Sequence, residues 1–381
     1  MPRHTTGTST SAPDELEPAC PRDGATADGA TTSVSIVGAG CAGTLTALNL
    51  LRSGGRPLRV VLVERDARFG PGVAYGTCDA RHRLNVVAER MSAFEDVPDH
   101  FRVWTERRLD SRQAAAYLPR RHYGAYLREL LDDAARAAPG RLERVAGEAI
   151  DVRPANGGAV VALRDGRRIA ADHVVLALGG LPPAPPVALP DDPRDAVDGL
   201  RPLVPRLWRS LPHDERRRFI RTQARAWDLR RHRMAPEVAA EVRGLLATGR
   251  LLVRPGRVVG VRARREAFET LVVAGDGELR TLRTDRVVVC AGPGQDVRRT
   301  SSPLLRALLD RGVACADPLA LGLRATPEGR LLAPDGRPHP ALHLLGPLRR
   351  GELWETTAVR EIRAQADTIA RAIGAVPAGR S

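Results

Sequence analysis

The stretch Ser33–Glu64, SVSIVGAGCAGTLTALNLLRSGGRPLRVVLVE, decides the fold. Val34–Val37 reads as a strand. The run Gly38-Ala39-Gly40-Cys41-Ala42-Gly43 is a full G-x-G-x-x-G turn. Thr44–Arg52 follows with helical spacing, Leu45, Leu48 and Leu51 sharing one face. Leu58–Val63 is a second apolar run of the kind that forms a buried parallel strand, and Glu64 closes it. Strand, glycine turn, helix, strand and acid in that order make a dinucleotide-binding unit.

Each residue has a physical role in that reading. Gly38 permits the tight turn, Gly40 lets a pyrophosphate approach the backbone, and Gly43 lets the helix pack on the sheet. The helix start, with Cys41 and Ala42, offers unpaired N–H groups and a positive dipole end to phosphates. Glu64, with Arg65 beside it, is placed to meet a ribose. A carboxylate there accepts from the diol and repels a 2′-phosphate, which favours FAD or NAD.

Composition narrows the partners. The formal charge of +14 suggests nucleic acid, yet all 59 Lys+Arg residues are Arg. Arg, Ala, Gly and Pro are abundant together, as GC-rich coding produces, and acids interleave with the arginines, as in Asp214-Glu215-Arg216-Arg217-Arg218. No basic motif carries interleaved aromatics, so nucleic acid is not expected. The five cysteines, Cys20, Cys41, Cys78, Cys290 and Cys315, form no C-x-x-C, so neither a dithiol centre nor a metal site is expected. Their scattered odd number and the lack of a signal peptide point to the cytoplasm. No apolar run approaches membrane-spanning length.

Along the chain, residues 1–32 read as a disordered tail. Residues 33–180 read as the first part of a dinucleotide-binding domain. Within it Arg65–Asp110 is loop-rich, a helix is expected over Arg121–Ala137, and short strands over Arg144–Arg153, Ala159–Arg164 and Arg168–Ala170 lead to a buried strand, Val174–Gly180. Pro-rich sequence from Leu181 marks a boundary, and residues 181–283 read as an Arg-rich helical and β insert. A second set of short strands, Leu251–Val253, Val258–Ala263, Thr270–Ala274 and Glu278–Leu282, leads to Val287–Gly292. Residues 284–375 then read as a return to the first domain, with a strand at Leu342–Gly346 and a closing helix over Thr356–Ile373. The class is α/β: a Rossmann-type domain with a β-meander and an insert.

Several blocks carry a resemblance. They are GPGVAYGT (Gly70–Thr77), LNVVAERMSAF (Leu84–Phe94), LPRRHYGAYL (Leu118–Leu127), HRMAP (His232–Pro236) and GPLRRGELWETTAVREIRAQA (Gly346–Ala366). With the glycine turn they resemble the bacterial FAD-NAD(P)-binding family, which is distantly similar to flavin-dependent monooxygenases and shares the glutathione-reductase type of FAD fold. The resemblance implies FAD and an oxidoreductase role. It also implies a second glycine fingerprint after the Pro-rich segment, and this chain has none. Arg230 also stands where the family commonly has His. Use of NAD(P)H is therefore left open, and a separate reductase is one source of electrons.

The expected cofactor contacts are Gly38, Gly40, Cys41, Ala42, Gly43, Glu64, Arg65, Gly179, Gly346 and Thr356. The helix near Thr356 would aim its N-terminus at the flavin pyrimidine. Relatives of the broader fold often have Asp after the glycine at position 346, where this chain has Pro347. Substrate-side candidates are Tyr75, Asn85, Ser92, Arg349, Arg350 and Trp354, with Met91 in the same loop as Ser92. His122 and His232 are acid–base candidates by type alone, and no catalytic residue is assigned. The expected activity is an FAD-dependent oxidoreductase of monooxygenase-like kind acting on a small molecule. The alternatives are an NAD-dependent dehydrogenase using the single glycine turn, and a non-catalytic flavin- or nucleotide-binding regulator.

Overall fold

The computed structural model describes residues 31–53, 57–109, 117–180, 203–231, 234–290 and 294–374. Its strands are β1 (Thr32–Val37), β2 (Leu58–Glu64), β3 (Leu142–Ala146), β4 (Ala149–Ala155), β5 (Gly158–Leu163), β6 (Arg168–Ala171), β7 (His173–Leu176), β8 (Gly256–Ala263), β9 (Phe268–Ala274), β10 (Leu279–Thr284), β11 (Arg330–Leu332) and β12 (Pro338–Leu344). One sheet has the order β11-β12-β7-β1-β2-β3. Five of its strands are parallel, and only β11 runs antiparallel.

Alternate residues of β1 and β2 supply opposite cores, as a two-sided parallel sheet requires. Val34, Ile36, Val60 and Leu62 face the helices Cys41–Arg52, Arg120–Ala137 and Val359–Gly374 through Leu45, Tyr126, Leu127 and Ile369. Val37, Val61 and Val63 face the other way, onto Val152, Val161 and Leu163 of the β4–β5–β6 meander and Leu304, Leu305 and Leu308 of the helix Pro303–Asp310. No described helix is long and apolar enough to cross a membrane.

Several expectations need correction. Arg144–Arg153 is not one strand: β3 joins the parallel sheet beside β2, and β4 begins the meander. The break falls at Gly147, whose N–H bonds to Glu64 O and where a Cβ would lie 2.9 Å from Leu163 Cδ1. Val287–Cys290 is coil with Val288 78% exposed, and Leu251–Val253 is not a strand either. β7 already has β1 on one side and β12 on the other, so no slot beside it remains. The helix His100–Arg108 lies within the segment read as loop. The closing helix begins at Val359 rather than Thr356. Of the expected tail, residues 1–30 lie outside the described residues, and Thr32 already pairs within β1.

Candidate functional site

The carboxyl ends of the parallel strands share one edge. Across it, in order, stand Glu64 after β2, the glycine turn after β1, Leu178–Gly180 after β7 and Leu345–Gly346 after β12. Three strand spacings separate the first from the last, about 14 Å. Ligands of open α/β sheets lie along such an edge.

The glycine turn is built by contact. Gly38 has φ +100°, and a Cβ there would stand 2.4 Å from Ala177 O. One on Gly43 would stand 1.9 Å from Gly38 O. Thr44 N–H is the first to bond back, to Gly40 O at 2.9 Å, so the N–H groups of Cys41, Ala42 and Gly43 face out of the helix end. Glu64 lies against the same turn, its Oε2 accepting the Ala39 N–H at 2.8 Å. Its Oε1 has only a 3.5 Å contact with the Asp66 N–H. Arg65 is exposed and 3.5 Å from Asp66.

Gly40 also meets a neighbouring loop. A Cβ there would point at Gly72 Cα, 3.4 Å away, and one on Gly72 would approach Gly40 Cα to 2.8 Å. Gly72 has φ +55°. The Gly70–Tyr75 loop is thus pressed onto the turn, with Gly70 N–H bonded to Ala39 O at 2.8 Å. Gly70 and Gly72 escaped the sequence reading as site residues, although the G-P-G spelling marks a special backbone. Behind the loop, Tyr75 and Tyr123 meet edge to face at 4.8 Å. Burial disfavours the Cys41 thiolate and pushes the thiol up to about 12, an effect partly offset by the neighbouring Tyr123 hydroxyl.

Gly179 and Gly346 have φ +70° and +85°, and a Cβ on either would meet nothing within 4 Å. Gly346 is held from both sides: its N–H bonds to Gln365 Oε1 at 2.9 Å and its carbonyl accepts from Thr356 Oγ1 at 2.6 Å. Gln365 Nε2 donates to Thr356 Oγ1 at 2.9 Å. The buried Thr356 therefore anchors the end of β12 to the closing helix. Gln365, missed in the sequence, completes that anchor from nine residues further along.

The substrate-side candidates separate. Asn85 is exposed and lines an open cavity of ≈ 700 Å³ that also takes in Val73, Arg83, Arg120 and Met234. Ser92 is buried; its hydroxyl is 2.6 Å from Val97 O and accepts the Phe94 N–H at 3.1 Å, so it orders its own loop. Met91 is a core residue. Arg349 is buried on Glu352 at 2.8 Å and on the Thr326 and Pro327 carbonyls. Arg350 lies over the Trp354 ring at 4.2 Å and reaches Asp228 at 3.2 Å. Trp354, at φ +61°, packs on Trp208 at 4.8 Å. Trp208 Nε1 donates to Gly351 O at 2.9 Å, and Trp227 Nε1 to Glu355 Oε1 at 2.6 Å. The C-terminal block is thus a docking floor for the helices at 204–231. His122 is half-buried, and burial together with Arg121 lowers its pKa. His232 lies outside the described residues.

Residues 35–181 match the model of the FAD-NAD(P)-binding family. No curated protein matches the chain. Among solved structures, the ornithine N-hydroxylase of Kutzneria sp. 744, described with reduced FAD, NADP+ and L-ornithine, is similar at 15% identity and TM-score 0.68, over 90% of this chain and 99% of that one. The ornithine hydroxylase of Pseudomonas aeruginosa is similar at 15% identity and TM-score 0.63, over 91% and 99%. The bacillithiol disulfide reductase of Bacillus cereus is similar at 16% identity and TM-score 0.55, over 91% and 99%. At these identities the likeness is one of fold.

Proposed function

We propose that this chain is an FAD-dependent oxidoreductase, monooxygenase-like, acting on a small molecule. The observation that carries it is the row of four strand ends. In this reading Glu64 serves the adenosine ribose, the helix start at Cys41–Gly43 the pyrophosphate, and the Gly179–Gly346 end the isoalloxazine. The residues fit that group: the turn tolerates no Cβ at Gly38 or Gly43, and Glu64 keeps one oxygen free of any short bond. An NAD-dependent dehydrogenase would need no strand returning to end at Gly346.

Bound FAD supplies two-electron redox chemistry and, when reduced, reactivity toward dioxygen. The chain's own part is to bind and orient. The Thr356–Gln365 anchor sets the Gly346 backbone, and the Gly70–Tyr75 loop packs on the glycine turn.

Heat release and chromatography of the purified protein should yield FAD at one per chain. Release of FMN, or a colourless protein that FAD does not restore, would overturn the reading. In stripped protein, Glu64→Gln should weaken FAD about tenfold, the loss expected for one charge-assisted hydrogen bond. With a single glycine fingerprint taken by FAD, reduction by NADPH should be slow in anaerobic stopped flow. Fast, saturable bleaching would mean that the region after Pro182 still seats a nicotinamide cofactor.

A further inference from the structure

The open cavity beside Asn85 has an unusual lining for a surface cleft. Its two sides are short segments paired with each other. Leu84 N–H bonds to Leu118 O at 2.7 Å, Arg120 N–H bonds to His82 O at 2.7 Å, and Arg83 bridges Pro119. This antiparallel pairing sets Arg83 and Arg120 next to each other.

Part of this Arg-rich surface is neutralised locally, as in Arg59–Glu143 at 2.6 Å and Arg164–Glu148 at 2.6 Å. Arg81, at the cavity's edge, is likewise paired with Asp79 at 2.7 Å. Arg83 and Arg120 are not: among the described residues they meet carbonyls, Tyr117 O at 2.9 Å and Arg83 O at 3.0 Å. Arg120 is also the first residue of an 18-residue helix with no acid in its first turn. A cation there opposes the helix dipole. Two half-buried arginines and a helix N-terminus therefore add their positive potential in one place.

The lining also includes apolar side chains: Val73, 95% exposed, Met234 and Val238. Val73 follows directly on Gly72, the residue pressed onto the glycine turn. We propose that this cavity binds a small carboxylate with an apolar body, the carboxylate on Arg83 and Arg120 and the body against Val73 and Met234. A bidentate guanidinium contact suits a planar carboxylate. As a substrate class this rests on the flavin reading; as a binding site it does not.

Calorimetric titration of the purified full chain separates the two. Hexanoate is the probe, with acetate, hexanol, inorganic phosphate and NADPH as comparators. Hexanoate should bind at least about tenfold more tightly than acetate or hexanol, since only it has both charge and tail. Val73→Glu, at an exposed position where folding is not at stake, should weaken hexanoate about tenfold by charge repulsion while Val73→Gln does not. Arg120→Gln should also lose binding. Hexanoate no tighter than acetate, an unaffected Val73→Glu, or binding of phosphate or NADPH but not hexanoate would each overturn the proposal. If the protein proves free of flavin but hexanoate binds as described, the flavin reading fails and the site stands.

Discussion

The two antiparallel meanders, β4–β6 and β8–β10, are written in the same local language and end differently. Both turn on Asp-Gly, Asp165-Gly166 and Asp276-Gly277, with the glycines at φ +89° and +86°. In the first, every second residue of β5 is buried, and Val152, Val161 and Leu163 share a core with the helix Pro303–Asp310. The meander then hands the chain to β7 in the middle of the parallel sheet. In the second, every residue of β10 is exposed, β9 is half-buried along its length, and Val261 is 47% exposed. It hands the chain to coil. Strand pairing is thus specified within the meander, whereas docking is specified by residues far away in sequence that either do or do not offer a surface.

The sharpest way to break this contrast is a charge at a buried position of the first meander. Val161 is 0% exposed. Val161→Asp buries an unpaired carboxylate and should cost more than about 3 kcal/mol, read as a fall in the urea midpoint. A midpoint within error of the wild type would mean that the first meander is no more docked than the second.

The same contrast explains what the sequence made legible. The unit from β1 to Glu64 could be read because its pattern is contiguous in the chain: Gly43 is required by Gly38 O and Ile36 within the unit, although Gly38 is also required by Ala177 O from a distant segment. β12 ending at Gly346 could be read for the same reason. Val287–Cys290 misled because an apolar run has strand propensity wherever it lies, and whether the sheet has a vacancy is not written in it. Ser92 looked polar and free, yet its place is decided by a carbonyl five residues on and by Arg363 binding Ser92 O across 271 residues. Arg350 and Trp354 looked like site residues because they follow the β12 end. Their partners, Asp228 and Trp208, belong to helices more than a hundred residues earlier. The cavity on Arg83 and Arg120 was visible only through Asn85.

Delivery of β7 by the first meander has an electrostatic consequence. It sets His173 beside His343 of β12, with Nδ1 and Nε2 3.4 Å apart. His343 is 1% exposed and its Nδ1 has no hydrogen-bond partner among the described residues. Burial, with His173 and Arg330 adding to it, takes its pKa from 6.5 down to about 3. The unfolded chain therefore takes up a proton that the folded one refuses between those values. Stability should be full above about 6.5 and fall as pH drops toward about 3, by about 1.4 kcal/mol per pH unit for one proton. Comparing urea midpoints at pH 7 and pH 5 should show His343→Leu losing less than the wild type. Equal losses would show that this pair does not set the acid limb.

The smallest effect is expected in the second meander, and it is the most informative about the comparison. Val261 pairs with Thr270 in the β8–β9 ladder and stands 47% exposed. Val261→Asp should change stability by no more than about 0.5 kcal/mol, since a half-exposed carboxylate stays hydrated and only β-propensity is lost. An isolated three-stranded meander is itself near the limit of stability, so a covered one would respond quite differently. Measuring the variant at low and at high protein concentration distinguishes the cases. A loss comparable to that of Val161→Asp, independent of concentration, would mean that the chain itself covers this sheet. The same loss appearing only at high concentration would mean that a second copy does. A small loss at both leaves the two meanders as read: one local pattern, docked in the first case and solvated in the second.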